Sequence, residues 1–145
     1  MDLCNNEKTR IRQVIETEIS LKDPENLNNA ISLLLQHKEL NYFIDLLNNL
    51  LLTVNHHRHQ EIVKAIQECK DPSSVYYIRQ VLNTDLKYLD YTGSDNDAIS
   101  KWFSHALASI GTKEAIELMR ENTNSTDGSI RKEMLYRLRK LNYAN

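Results

Sequence analysis

The sequence predicts an all-α fold, and three observations favour it. Apolar residues recur with the 3.6-residue period of amphipathic helices along most of the chain. Only three glycines and two prolines occur among the 145 residues, so there is little material for hairpin turns. Two segments also resemble each other at a spacing of 41 residues, which aligns Ala65 with Ala106 and Val75 with Ile116. Repetition on this length scale is typical of stacked helical repeats.

The N-terminal half of the chain contains three predicted helices. The first covers residues 7–22 and ends before Pro24, because proline suits the first turn of the following helix. The third covers residues 39–53, and its apolar side chains nearly encircle the axis. A helix that is apolar on most sides is expected to lie between neighbours. A polar turn over residues 55–59 then leads into the fourth helix.

The C-terminal half contains five further predicted helices. Ser73 or Ser74 is expected to cap the fifth helix. One long connection, residues 83–96, separates the fifth and sixth helices, and long loops in small domains are often functional. Gly111 is expected to end the sixth helix in the left-handed conformation, and Thr112 to cap the seventh. A polar loop, residues 122–128, precedes the last helix.

Composition and charge exclude several classes of function. The net charge of −2 disfavours a generic nucleic-acid-binding protein, which usually carries a basic excess. No apolar run approaches the roughly 20 residues of a membrane span, and the N-terminus lacks the pattern of a signal peptide. We therefore expect a cytoplasmic protein that has no contact with a membrane. Charge is uneven, with four aspartates against one lysine in residues 85–97 and five basic residues against Glu133 in residues 131–140.

Motifs for catalysis are absent from the sequence. It contains neither G-x-S-x-G nor H-E-x-x-H nor a glycine-rich phosphate loop, so we expect no enzyme, no cofactor and no small-molecule substrate. Cys4 and Cys69 are the only cysteines and form no disulfide framework. Cys69 occupies a core position of its helix, where a thiol packs as a small apolar group. Cys4 paired with a distant histidine is the less favoured alternative, a nucleophile.

Three histidines cluster before the fourth helix. In a helix, His56 and His59 would share one face and could bind a metal, with Glu61 nearby in sequence. A metal site usually needs a third or fourth ligand, and no cysteine or aspartate lies close. The favoured interpretation is a solvated helix start around His56, His57 and His59, without a metal.

The turn between the sixth and seventh helices carries a family resemblance. The sequence of the sixth helix and of the turn that follows it resembles the motif of HEAT repeats, particularly the short bacterial variety. The residues that carry the resemblance are Ala98-Ile99, Trp102, Ala106-Leu107, Ile110-Gly111-Thr112 and Glu114-Ala115. The resemblance covers residues 57–141 well and residues 1–55 only by pattern. It implies a single domain, residues 1–145, folded as a right-handed α-α superhelix of about eight helices.

A further resemblance concerns function. Small HEAT-like proteins with an acidic, tyrosine-bearing loop before such a helix are similar to the immunity proteins encoded beside polymorphic or contact-dependent toxins. This resemblance implies a protein-binding inhibitor that neutralises a cognate toxin domain, such as a basic nuclease. Carboxylates of the loop would occupy the place of substrate phosphates, and complementary charge would speed association.

The candidate partner-binding residues lie in and beside the long connection. Tyrosine is enriched at interface hot spots, and here it is interleaved with carboxylates. An ordinary solvated loop is the alternative, and Trp102 is expected to pack in the core instead. If the loop binds, alanine at Asp90 and Tyr91 should abolish binding and leave thermal stability unchanged. The candidate residues are Asp85, Tyr88, Asp90, Tyr91, Asp95, Asp97 and Lys101.

Two other functions remain open at this level. A nucleic-acid-binding HEAT-like protein, similar to the helical-repeat DNA glycosylases, would use the basic last helix on phosphates, with salt-dependent affinity. The lack of a basic stripe over successive helices disfavours it, and a solvated outer face is the favoured interpretation of that helix. A scaffold or lyase-type HEAT subunit, acting with a second chain on a chromophore protein, is the third possibility.

Overall fold

A computed structural model describes residues 3–143, with side chains from residue 6. Within this range the chain forms eight α-helices, two 3₁₀ helices and no strand, which confirms the all-α prediction. The Cys4 side chain lies outside the described part. The α-helices are α1 (Leu3–Leu21), α2 (Pro24–Leu35), α3 (Ile44–Leu52), α4 (His59–Cys69), α5 (Ser74–Leu82), α6 (Asn96–Ile110), α7 (Lys113–Asn122) and α8 (Gly128–Lys140), and the 3₁₀ helices are Leu40–Phe43 and Lys87–Thr92.

The helices alternate between two layers. In one layer α2 contacts α4, α4 contacts α6 and α6 contacts α8. In the other, α3 contacts α5 and α5 contacts α7, and α1 joins this layer because Arg12 pairs with Asp45 of α3 at 2.5 Å. Contacts of α1 with α2, α3 with α4, and α7 with both α6 and α8 connect the layers. Each helix pair therefore packs mainly on its neighbours along the chain, as in a stacked array.

One continuous apolar core runs between the layers, and every α-helix contributes to it. Its largest fully buried side chains are Phe43 and Phe103. Burying a side chain of this kind contributes about 1.5–3 kcal/mol, so this core is the main source of stability. Cys69 is half-buried at its edge as a free thiol, and burial together with Asp71 raises the pKa of that thiol.

Local signals fix three helix ends where the sequence predicts them. Asp23 caps α2 by accepting from two backbone N–H groups, and Pro24 begins the helix. Gly111 ends α6 at φ = +67°, and its N–H donates to the carbonyl of Leu107. Thr112 caps α7 by accepting from the N–H of Ala115 at 3.2 Å. These predictions succeed because each depends on residues within one helical turn.

Two local predictions were wrong. The predicted third helix starts with the 3₁₀ turn Leu40–Phe43, and α3 proper begins only at Ile44. Ser73 occupies the N-cap position of α5, but its side chain makes no capping hydrogen bond, and Ser74 is the first residue of the helix. Asp71 instead accepts from the N–H of Ser73 at 2.9 Å, while the buried hydroxyl of Ser74 donates to Asn48 of α3 at 2.6 Å. Ser74 thus forms its hydrogen bond with Asn48, which is distant in sequence, and is not available as the cap that the local rule predicts.

The helices of the described part of the chain do not include one with the length and apolar character needed to cross a bilayer.

Candidate functional site

The long connection at residues 83–96 is folded rather than open. Its centre is the 3₁₀ helix Lys87–Thr92, which begins after Leu86 and ends at Gly93. Leu86 and Leu89 are fully buried in the core, and Leu86 adopts the left-handed conformation at φ = +64°. A leucine in this conformation costs about 1–2 kcal/mol, which its burial offsets. The connection is therefore anchored to the core by two buried leucines.

Both tyrosines of the connection direct their hydroxyl groups to hydrogen-bond partners within the protein. The Tyr88 ring is partly buried against the core, and its hydroxyl donates to the carbonyl of Leu51 at 3.1 Å. The Tyr91 hydroxyl accepts from the backbone N–H of His59 at 2.9 Å and lies 2.6 Å from His59 Nδ1. The ring of Tyr91 remains 41% exposed. The expectation of two exposed contact tyrosines is thus wrong for Tyr88 and only partly correct for Tyr91.

The hydrogen bonds of His59 define its tautomer. Its Nε2 lies 2.7 Å from the carbonyl of Thr53, which can only accept, so Nε2 carries the proton. Burial lowers the pKa of His59, so the imidazole is neutral and its Nδ1 accepts from the Tyr91 hydroxyl. Both ring nitrogens are therefore satisfied.

His56 repeats the same arrangement. Its Nε2 donates to the carbonyl of Leu50 at 2.7 Å, and its Nδ1 accepts from the N–H of Arg58 at 3.1 Å. The His56 and His59 rings stack with centroids 3.9 Å apart. Both rings bind carbonyl groups at the C-terminal end of α3, namely that of Leu50, which also accepts from the N–H of Thr53 at 3.2 Å, and that of the C-cap residue Thr53. We call His56, His59, Tyr88 and Tyr91 the histidine joint.

The environment of the joint keeps both imidazoles neutral. Burial lowers the pKa of His59 to about 3, and the neighbouring His56 adds to this effect. The pKa of His56 is also lowered, chiefly by burial. Burial likewise raises the pKa of the Tyr88 and Tyr91 hydroxyls. Both imidazoles are fully buried, so the expected solvated helix start is wrong for His56 and His59, and with all four ring nitrogens bonded within the chain the pair has a structural role. His57 is exposed beside the Tyr91 ring.

The aspartates of the connection do face solvent. Asp85, Asp90, Asp95 and Asp97 are all exposed, and we call these four residues the acidic edge. Asp95 also caps α6 by accepting from the N–H of Ala98 at 2.9 Å. Asp85 accepts from the N–H of Lys87 at 3.0 Å. The carboxylates of Asp85 and Asp95 are thus held in place by hydrogen bonds to the local backbone.

The last candidate, Lys101, lies one helical turn after Asp97 on the exposed side of α6. A groove of about 650 Å³ runs between this face and α8. On the α6 side it is lined by Asp97, Lys101 and His105, which are spaced four residues apart. The α8 side contributes Ser129, Lys132, Glu133, Leu135, Tyr136, Arg137 and Arg139. We call it the basic groove, because its lining contains four cationic side chains and only two carboxylates.

A buried network forms the floor of the basic groove. The buried carboxylate of Glu133 accepts from the hydroxyl of Ser104 at 2.5 Å and lies 3.5 Å from Arg137 Nη2. Arg137 Nη2 also donates to His105 Nε2 at 3.1 Å. The pKa of His105 is lowered, chiefly by burial and then by Arg137, so its imidazole adds no charge at neutral pH. The network locks the guanidinium in place.

The basic groove was missed at the sequence level, where the basic last helix was interpreted as a solvated outer face. The available signal was the run of Asp97, Lys101 and His105, which places three polar side chains on one face of a helix. What the sequence does not show is that this face meets α8.

Trp102 lies at a second groove, between α4 and α6, with a volume of about 550 Å³. Its ring packs partly on the core, as expected, and partly lines this groove beside Val63 and Lys64. Of the tyrosine pair in α5, Tyr77 packs inward and Tyr76 is 61% exposed.

No group of three or more histidine, cysteine, aspartate or glutamate side chains within the described range is placed to hold a metal ion. Comparisons with models of protein families, with curated proteins and with solved structures found no match.

Proposed function

We propose that this chain is a HEAT-like protein-binding inhibitor that contacts a basic surface of its partner through the acidic edge. The observation that carries the proposal is the ordered presentation of the aspartates. Their backbone is anchored by two buried leucines and by the tyrosine hydroxyls of the histidine joint. Four exposed carboxylates thus stand on a folded segment of an otherwise nearly neutral chain.

Preorganisation supports a binding role for this segment. Ordering a flexible loop on binding costs about 1–2 kcal/mol of backbone conformational entropy for each residue that becomes fixed. Because the backbone of the acidic edge is already ordered, less of this entropy is lost on association. Aligned carboxylates also steer a cationic partner towards the edge before contact.

The specific partner that we propose is a cognate toxin domain with a basic active site, such as a nuclease. A nuclease must carry cations to hold substrate phosphates, and carboxylates can pair with those cations. Binding of the acidic edge would then exclude the substrate directly. The chain would act as an immunity protein by this occupation.

Co-expression tests the proposal. The chain should be produced together with the protein encoded immediately upstream of its gene, each carrying a different affinity tag. We expect a stable complex and protection from growth arrest, whereas the upstream protein alone should arrest growth. Absence of a complex together with unrelieved growth arrest would exclude the immunity function.

A further inference from the structure

We propose that the basic groove between α6 and α8 binds a short acidic peptide segment of a protein. This site is separate from the acidic edge in chemistry, because it presents cations. It does not depend on the function proposed above, and its ligand need not belong to the same partner.

The first argument is the fixed guanidinium of Arg137. Glu133 and His105 hold its Nη2 group, and the side chain is only 16% exposed. Its Nε is buried and has no hydrogen-bond partner in the described part of the chain, so the exposed fraction of the side chain does not include this atom. A planar guanidinium held in one orientation suits the bidentate geometry of a carboxylate.

The second argument is the surplus of cations along the groove. Lys101, Lys132 and Arg139 are exposed. None of these three side chains has a nitrogen within 4.0 Å of a carboxylate oxygen of a described residue, so none forms an ion pair there. Glu133 is already engaged by Ser104 and Arg137, which leaves Asp97 as the one solvent-facing carboxylate among the lining residues. An anionic ligand is therefore favoured by the lining itself.

The third argument favours a peptide over a nucleic acid as the ligand. The groove is short, and the acidic edge begins at its Asp97 end, so a long polyphosphate would be repelled there. Its lining includes Leu135 and Tyr136, and the Tyr136 ring is 50% exposed. An exposed aromatic ring beside cations suits a segment that combines carboxylates with an apolar side chain.

Fluorescence anisotropy tests the site with defined probes. The first probe is a labelled nonapeptide with four glutamates and one phenylalanine, and the second replaces each glutamate by glutamine. We expect saturable binding of the acidic peptide and about tenfold weaker binding of the glutamine peptide. The K132Q/R139Q variant should bind the acidic peptide about tenfold more weakly than the original chain. Asp97→Asn should strengthen binding, because it removes the repelling carboxylate.

The matched control is R10Q/K38Q, which removes one exposed arginine and one exposed lysine outside the groove. It should bind the acidic peptide like the original chain, and all variants should keep the same melting temperature. Three results would overturn the proposal: no saturable binding, an equal loss in the control variant, or tighter binding of a labelled oligothymidylate that K132Q/R139Q abolishes. The last result would identify a nucleic-acid site instead.

Discussion

At the scale of single residues, the hydroxyl of Tyr91 has the most specific role. It accepts from the backbone N–H of His59 and donates to the ring of the same residue. One oxygen thus satisfies a donor at the start of α4 and an acceptor of a neutral imidazole. Its ring is partly exposed, so the residue combines a structural hydroxyl with a surface that a partner can touch.

Replacing Tyr91 by phenylalanine should lower the free energy of unfolding by about 1–2 kcal/mol, which corrects the sequence-based expectation that a substitution at this residue leaves stability unchanged. The substitution keeps the ring but leaves the N–H and Nδ1 of His59 without their partner. Urea denaturation followed by circular dichroism measures the change. Tyr76→Phe is the matched control, because Tyr76 is exposed and its hydroxyl makes no hydrogen bond within the described residues, so no change is expected. Equal stability of Y91F and the original chain would contradict the role given to this hydroxyl.

The same residue shows what a sequence can predict about a side chain. The pattern of tyrosines among aspartates correctly marks residues 85–97 as unusual, and the aspartates do face solvent. It does not show where the tyrosine hydroxyls point, because their partners at Leu51 and His59 lie more than 30 residues away in the chain. The histidine cluster in the polar turn was the signal that could have indicated these partners. If its imidazoles are buried, they need hydrogen-bond donors and acceptors, and a tyrosine hydroxyl can provide both.

At the scale of elements, the histidine joint connects three segments. His56 and His59 bind carbonyl groups at the end of α3, His59 begins α4, and Tyr91 adds the 3₁₀ helix Lys87–Thr92. These bonds require neutral imidazoles, because each Nδ1 accepts a hydrogen bond. Protonation of either ring therefore opposes the native arrangement of all three segments.

Stability should fall as the pH decreases below 6.5. In the unfolded chain both histidines take up a proton near their ordinary pKa of about 6.5, whereas in the native state His59 does so only at about pH 3. The unfolded state thus binds more protons in this interval, and acid favours it. His59 alone should reduce the free energy of unfolding by about 2 kcal/mol between pH 7 and pH 5, and His56 adds to this loss.

Urea denaturation at several pH values between 7 and 5 measures this slope. The interval avoids Asp45, whose lowered pKa affects stability only below its ordinary value near pH 4. H56Q/H59Q should remove most of the dependence and leave the part due to His105, whose pKa is also lowered, whereas H37Q, which alters a histidine outside the joint, should retain it. A stability that does not change from pH 7 to pH 5 in the original chain would show that the joint tolerates charge.

Element boundaries were predictable where the signals are local. Gly111 and Thr112 define the end of α6 and the start of α7 within a few residues. The 3₁₀ helix in the long connection was not predicted, because Leu86 and Leu89 stand in a polar stretch without helical periodicity. Their burial depends on the core that the other helices build, and this information is absent from a local window.

At the scale of the whole molecule, two oppositely charged surfaces lie next to each other. The acidic edge ends at Asp97, and the basic groove begins there on the same face of α6. The alternating layers place α4, α6 and α8 side by side, so residues on successive even-numbered helices form continuous surfaces. An array of this kind can bind two different chemical features without a change in fold.

The global arrangement was predictable only in outline. The repeat at a spacing of 41 residues predicts stacked helices, and the two layers agree with stacking. The basic groove depends on contacts such as that between Ser104 and Glu133, which pair residues of different helices. Charge counts along the chain place these residues in separate segments, so their meeting could not be predicted.

The central claim is that the acidic edge recognises a basic protein surface, and association kinetics test it most directly. Surface plasmon resonance with the upstream-encoded protein, which we propose as the partner, should compare the original chain with D85N/D90N/D97N and with the control E7Q/E16Q/E25Q. The control removes three exposed carboxylates from α1 and α2, one of them in a first helical turn like Asp97. We predict association about tenfold slower for the first variant at low salt and unchanged for the control. Equal rates for all three proteins, or equal slowing in both variants, would contradict the claim.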